Sequence, residues 1–309
     1  MTRLSPNVIR LLIPVLSLAA LLAAVFWLQP RAMSYMGMNL LFNLAVPIAL
    51  ATIAQMLVIA VNDLDLSIGT FVSFAACVTA VYLPTAPLVA VIILAGAIGV
   101  YALIGVLIHL RDLPSIVVTL GMSFVWGGLA VLILPSPGGQ AAGWLRGLMT
   151  ASTPVVPLAI IASIVIAVVA HLLVTRSTLG VAIRGVGGNA RSVARAGWSV
   201  MKIKAAAYAL SGLFSVLAGM ALVGVTTSAD ANIALRYTLL SIAGVILGGG
   251  EFVGGRVSPV GAVVGALTLT LAGSFLSFLR ISPDWQIGAQ GAVLIIVLGL
   301  RLILARREA

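Results

Sequence analysis

Residues 86–109 read APLVAVIILAGAIGVYALIGVLIH, without one Asp, Glu, Lys or Arg. About 20 apolar residues in a helix cross about 30 Å of hydrocarbon, so a run of this kind fixes its surroundings before it fixes a fold. In lipid every backbone N–H and C=O must find a partner inside the protein, and for one continuous apolar run the helix provides it. Comparable runs fall at about 11–28, 39–61, 66–83, 86–109, 113–134, 155–174, 205–226, 237–250, 259–279 and 285–304, ten in all. The run from Tyr237 is short. The join VNDLDLS, residues 61–67, reads either as a loop outside the bilayer or as a break inside it.

Composition agrees with the runs. Hydrophobic residues make up 62% of the 309, charged residues 8%, and the mean hydropathy is +1.24. Soluble domains carry about a quarter charged residues, so this chain has too few to face water on all sides. The expected fold class is all-α, a polytopic transmembrane helix bundle of about ten spanning helices, with residues 1–309 forming a single domain. The N-terminal run carries Arg3 and Arg10 ahead of it, as a signal peptide would, but it is long and no A-x-A pattern follows closely, so it reads as a retained first helix.

Placing ten spans with the N-terminus inside puts Arg3, Arg10, Arg111, Arg176, Arg184, Arg191, Arg195, Lys202, Lys204, Arg256, Arg301, Arg306 and Arg307 on the cytoplasmic side. Arg31, Arg146, Arg236 and Arg280 are left outside. Thirteen of seventeen cations inside is the asymmetry of the positive-inside rule, and it sets both termini in the cytoplasm. The net charge of +10 is thereby accounted for by loops facing an anionic leaflet. No basic patch interleaved with aromatics is present, so nucleic acid is not an expected partner. The single cysteine, Cys77, excludes an internal disulfide and reads as a small buried hydrophobe.

Lipid gives helices no hydrophobic reason to associate, and small residues at four-residue spacing supply close approach instead. Ser211, Ser215 and Gly219, Gly244 and Gly248, and Gly261 and Gly265 beside Ala262 and Ala266 form such ridges. Groups suited to chemistry are sparse. Seven acids and two histidines are spread along the chain, neither His109 nor His171 sits in a cluster of carboxylates or cysteines in sequence, and no metal site is expected. There is no G-x-x-x-x-G-K-[ST] loop to hold a nucleotide. Most spans also lack the ionisable group that an ion-coupled carrier needs. A pore-former driven from outside itself remains.

The segment at about 176–204 is where driving force would enter. It is basic and rich in glycine, with Asn189 placed to cap a short helix over 190–196 and Gly197 to end it in the left-handed conformation. Ala190, Val193 and Ala194 give that helix a small-residue face, and Arg191 and Arg195 occupy the rest. A helix of two turns is marginal alone and gains stability in a groove on another protein. The alternative is a cytoplasmic loop held to the membrane by charge.

Four stretches resemble the permease subunits of sugar-type ABC importers, the ribose, xylose, arabinose, galactose and autoinducer-2 group. GVGGNARSVARAGWSV (185–200) resembles their cytoplasmic coupling segment. VNDLDLSIGTFVSFAA (61–76) is similar to their G-G-I-D-L-S-V-G-S segment, with Val61 and Asn62 departing from it. LPSIVVTLGMSFVWGGLA (113–130) resembles a stretch in which Trp126 stands where the family has arginine. SIAGVILGGGEFVGGRVSPVGAVVGAL (241–267) resembles a glycine-rich block, with Glu251 at a usually small position.

The resemblance implies a subunit of an ATP-driven importer that forms the pathway for a sugar or sugar-like solute across the bacterial inner membrane. It implies three partners: an ABC ATPase subunit carrying ATP and Mg, a periplasmic substrate-binding protein, and a second permease copy or paralogue. This chain itself would bind no cofactor and catalyse nothing. Gly187, Gly188, Asn189, Arg191, Ala194 and Gly197 would meet the ATPase, with Glu251 and Arg256 as a second cytoplasmic contact. Asp65 with Ser67 reads as a helix cap, or Asp63 or Asp65 as part of an inner gate, where burial requires a partner. Asn43 and Gln55, nearly on one helix face, read as pathway-lining residues or as interhelical hydrogen-bonders. A permease for branched-chain amino acids or another small metabolite is the alternative solute class. A membrane enzyme or channel without ATPase partners is the third reading.

Overall fold

The computed structural model of the protein describes residues 6–279, together with Gly288 and Gly291. Apart from those two glycines, the run expected at 285–304 lies outside the described residues, as do the chain ends whose sidedness the loop charges predict. The described chain is α1 (Pro6–Leu28), α2 (Tyr35–Phe42), α3 (Ala45–Ile59), α4 (Ile68–Tyr82), α5 (Pro87–Leu110), α6 (Ser115–Ile133), α7 (Gly143–Thr150), α8 (Leu158–His171), α9 (Thr178–Arg195), α10 (Val200–Thr226), α11 (Tyr237–Leu247) and α12 (Pro259–Phe278). Among these residues there is no sheet, only a bridge between the loops at Gly138 and Ala229.

Among the described residues six helical stretches are long and apolar enough to cross a membrane: 35–59, in which α2 runs almost continuously into α3, then α5, α6, α8 with the wide turn after it, α10 and α12. Residues 14–28, α4 and α11 are shorter apolar helices. At about 1.5 Å per residue α11 reaches only about half of the hydrocarbon thickness. Helix starts follow local chemistry. Ser34, Ser177, Ser199 and Ser258 each accept a bond from a backbone N–H three residues on, and Pro87 and Pro259 occupy first-turn positions that need no N–H. The cap at Ser199 starts α10 five residues before the expected boundary at 205, which places Lys202 and Lys204 on its opening turns.

The centre of the bundle is α3, all fifteen residues of which are buried. An apolar helix that is hydrophobic all round belongs in the interior, and α10, α11, α12 and α8 surround it. A second core lies between α4, α5, α6 and α10. There Phe71 packs against Tyr101 with centroids 4.3 Å apart and against Trp126 at 4.7 Å. Trp126, at the position where the resemblance leads one to expect arginine, is an aromatic core residue with 3% of its surface exposed. The outer faces of α5, α6 and α8 carry exposed Leu, Val, Ile and Phe, including Phe124 and Leu132, a surface suited to lipid or to another greasy subunit.

Two of the small-residue ridges meet each other. Gly244 of α11 and Gly248, which caps its end, lie against Gly261 and Gly265 of α12 so closely that a Cβ on Gly248, Gly261 or Gly265 would overlap the facing backbone. The reversal between these helices uses Gly249, Gly254 and Gly255 at φ of 93°, 90° and 65°, a region that side chains disfavour.

Candidate functional site

The join at 61–67 is a break within the protein. Asn62, at φ 63°, ends α3 in the left-handed conformation, and Asp63 N closes the turn on the Val58 carbonyl at 3.2 Å. Asparagine tolerates this conformation better than most residues with a Cβ, so a position where the sugar-permease pattern leads one to expect glycine keeps its backbone here. The next N–H groups are satisfied one by one from neighbouring helices. Leu64 N donates to Ser115 Oγ (3.0 Å), Leu66 N to Thr119 Oγ1 (3.1 Å) and Gly69 N to Thr238 Oγ1 (2.9 Å). With its amide oxygen and nitrogen assigned as these neighbours require, Gln55 can donate to Asp65 O at 3.0 Å and accept from Asp65 N at 3.3 Å. Irregular backbone at such depth is tolerated only when partners are supplied in this way.

The two acids of the break have separate partners. Asp63 accepts two bonds from Lys204 Nζ at 2.9 and 3.0 Å and one from Tyr208 Oη at 3.3 Å. Lys204 and Tyr208 stand one turn apart on α10. Their ion pair is largely sheltered, with side chains 9% exposed for Asp63 and 16% for Lys204. Asp65 has no exposed surface. One carboxylate oxygen accepts from Ser67 N and Ser67 Oγ, both at 2.7 Å, and the other from Tyr101 Oη at 2.8 Å. It therefore stabilises the approach to α4, whose first residue is Ile68, in the manner of an Asx turn. Asn43 and Gln55 are separated by the fold. Asn43 is exposed at the joint between α2 and α3, whereas Gln55 is wholly buried against Asp65.

The basic segment has the geometry its sequence predicts around Asn189. α9 is two helical pieces meeting at Asn189, whose φ of −162° and ψ of 95° interrupt the helix. Asn189 Oδ1 accepts from Ser192 N at 3.0 Å, capping the second piece, and Gly197 at φ 85° follows its end. Gly188, Asn189, Arg191, Ala194 and Gly197 are exposed. The proposed small-residue face is divided. Ala190 and Val193 pack on the chain's own core, leaving Ala194 outward. Gly187 departs most from expectation, because it is buried against the Ala60 carbonyl and Gly255 and so faces inward.

Three segments distant in sequence converge at that point. Asn62 Nδ2 donates to Gly187 O at 2.7 Å, and Asn62 Oδ1 accepts from Gly254 N at 3.0 Å. Gly255 fits against the Arg184 carbonyl with no room for a side chain. One amide thus ties the end of α3, the kinked α9 and the glycine reversal together. At the tip of that reversal Arg256 Nη1 meets Glu251 Oε2 at 3.5 Å, a loose and mostly exposed pair. Sequence reasoning singled out the acids of the break but not Asn62, Tyr101, Lys204 or Tyr208. Their trace was polar groups on otherwise apolar helices, with Lys204 and Tyr208, like Ser115 and Thr119, four residues apart. Among the described residues no three metal-ligating side chains converge.

Residues 37–298 match the family described as branched-chain amino acid transport system, permease component. The galactofuranose transporter permease protein of Escherichia coli K12 is 32% identical, covering 85% of this chain and 79% of its own. The ribose import permease protein of the same strain is 29% identical over 91% of each chain. A probable ABC transporter permease protein of Sinorhizobium fredii is 29% identical over 95% of this chain and 90% of its own. No solved structure matches.

Proposed function

This chain belongs to the family of branched-chain amino acid transport permease components, and from that premise we propose how its geometry serves import. It is a permease of the sugar-type ABC importers. The family description names amino acids, but several relatives are named as permeases for ribose, galactose and methyl galactoside, galactofuranose or allose. That observation, together with the span of the match, carries the reading and sets the amino-acid alternative aside.

In this reading the chain is a ten-span subunit of the bacterial inner membrane with both termini cytoplasmic. It pairs with a second copy or a paralogue, receives a sugar from a periplasmic binding protein, and leaves ATP and Mg to a separate ATPase. The ATPase grips the exposed rim of α9, formed by Gly188, Asn189, Arg191, Ala194 and Gly197, with Glu251 and Arg256 beside it. Gly187 acts behind that rim as an internal joint. When the ATPases close, displacement of α9 passes through Asn62 to the break at 62–67, and the Asp63–Lys204 pair holds the inner end of the pathway until then. The two bonds of Asn62 and the close packing of Gly187 on Ala60 and Gly255 link the moving rim to the gate over a short path.

Purification of the assembled complex tests this proposal. An ATP-binding subunit should copurify with the chain, and the ligand retained by the extracytoplasmic component should be a sugar. Isolation of an active transporter without an ATPase would overturn it.

A further inference from the structure

Behind the exposed rim lies a cavity of about 590 Å³, between the end of α8, the first piece of α9, the glycine reversal and the start of α12. Its polar lining is His171, Thr175, Arg184, Arg256 and Ser258, and among the described residues neither Asp nor Glu lines it. Arg184 Nε is buried there with no protein partner among the described residues. A buried guanidinium donor left unpaired calls for a ligand. Arg256 contributes a second cation, held only loosely by Glu251 at 3.5 Å. Ser258 caps α12 and, with Pro259, brings the positive end of a twenty-residue helix to the same wall.

The approach to this cavity identifies its occupant. α8 is the least sheltered kind of span in the bundle, with 17% of its apolar window buried, and Val168, Val169 and Leu172 are exposed just before the cavity begins. Val181 on the opposite wall is also exposed. Acyl chains lying along α8 would therefore deliver a headgroup directly to Arg184. Two arginines, a hydroxyl and a helix N-terminus are complementary to a phosphate ester, and basic pockets at the ends of membrane helices take anionic headgroups. The geometry points to a binding site for the phosphate of an anionic phospholipid, wedged between α8 and the kinked α9. Bound there, the headgroup would brace Arg184, whose carbonyl side abuts Gly255, and so stiffen the joint that Asn62 closes.

Native mass spectrometry of the full chain in mild detergent, with added phosphatidylglycerol or phosphatidylcholine, tests the site. Phosphatidylglycerol should be retained preferentially. Arg184→Gln and Arg256→Gln should each weaken retention about tenfold, while Arg236→Gln, away from the cavity, should not. Thermal stability supplies a second readout if either variant folds poorly, because phosphatidylglycerol should raise the melting temperature of the parent protein and not of a variant that still folds. Equal retention of both lipids, or undiminished retention by both arginine variants, would overturn the proposal. So would stabilisation by millimolar inorganic phosphate without any preference for phosphatidylglycerol, which would assign the cavity to a free anion. None of these outcomes bears on the sugar-permease reading.

Discussion

Asn62 Nδ2 donates to the Gly187 carbonyl at 2.7 Å across 125 residues of sequence. Its Oδ1 accepts from Gly254 N, so the side chain joins two segments while its backbone, at φ 63°, ends α3. These two duties can be separated by substitution. Asn62→Gly keeps the turn and removes the tie, whereas Asn62→Ala removes the tie and adds the left-handed penalty, about 1 kcal/mol. The glycine variant should melt below the parent by the loss of the two bonds, and the alanine variant lower still. Both should lower the solute imported per ATP hydrolysed in proteoliposomes. Unchanged stoichiometry in both would remove Asn62 from the transmission path.

The Asp63–Lys204 pair predicts an asymmetric response. Lys204→Met leaves a sheltered carboxylate without its cation, a loss of about 3 kcal/mol for pairs broken in this way. Replacing both groups, Asp63→Asn with Lys204→Met, should recover most of that loss, since no uncompensated charge remains. Thermal denaturation of the four proteins closes the double-mutant cycle. Additive losses would show that the 2.9 Å contact contributes little.

Tyr101 donates to a carboxylate with no exposed surface. Tyr101→Phe deletes the hydroxyl, with its bond to Asp65 and its 3.0 Å contact to Ser67 Oγ, and keeps the ring packed on Phe71. A charged acceptor that loses one of its donors in the interior destabilises by about 1–3 kcal/mol. Ser67 still donates twice to the other oxygen, which favours the lower half of that range. A melting temperature equal to that of the parent would show that another donor replaces the hydroxyl.

What was legible in the sequence was local. The cap at Asn189, the left-handed Gly197 and the ridges on α11 and α12 depend on residues a few positions apart, so spacing sufficed. Asp63 and Lys204 are 141 residues apart and Asp65 and Tyr101 are 36 apart. Nothing in local spacing selects those partners. The burial of Gly187 is illegible for a related reason. A glycine beside an exposed cap looks like surface, and only the arrival of Ala60 and Gly255 from other parts of the chain shows it to be interior. The break at 62–67 was ambiguous because the hydroxyls that satisfy it, on Ser115, Thr119 and Thr238, belong to helices far along the chain.

Glycines on α5 and on the α11–α12 contact should respond in opposite ways. A Cβ at Gly99 meets nothing within 4 Å, whereas one at Gly265 would strike the Gly244 carbonyl. Gly99→Ala should therefore be neutral or slightly stabilising, since alanine favours helix over glycine. Gly265→Val should force the two helices apart and lower the yield of folded protein from detergent, because close backbone approach is what holds them. Equal yields would mean that the contact between α11 and α12 is dispensable.

Gly187 and Gly188 are neighbours with opposite surroundings, and the contrast separates folding from assembly. Gly187 is enclosed by the Ala60 carbonyl and Gly255, so Gly187→Ala should disturb the chain itself and lower its thermal stability. Gly188 is exposed, and among the described residues a Cβ there would find only the Gly254 carbonyl at 3.7 Å, ordinary contact distance. Gly188→Trp should consequently insert and fold, while placing a large ring on the rim that the ATPase is proposed to grip. Membrane levels and melting temperature should match those of the parent, and transport should fall because ATPase binding is weakened or hydrolysis is no longer coupled to uptake. Copurification with the ATP-binding subunit separates these two routes to the same loss. Normal uptake by Gly188→Trp at normal abundance would move the ATPase contact elsewhere, since a rim seated in a close-fitting groove has no space for an indole.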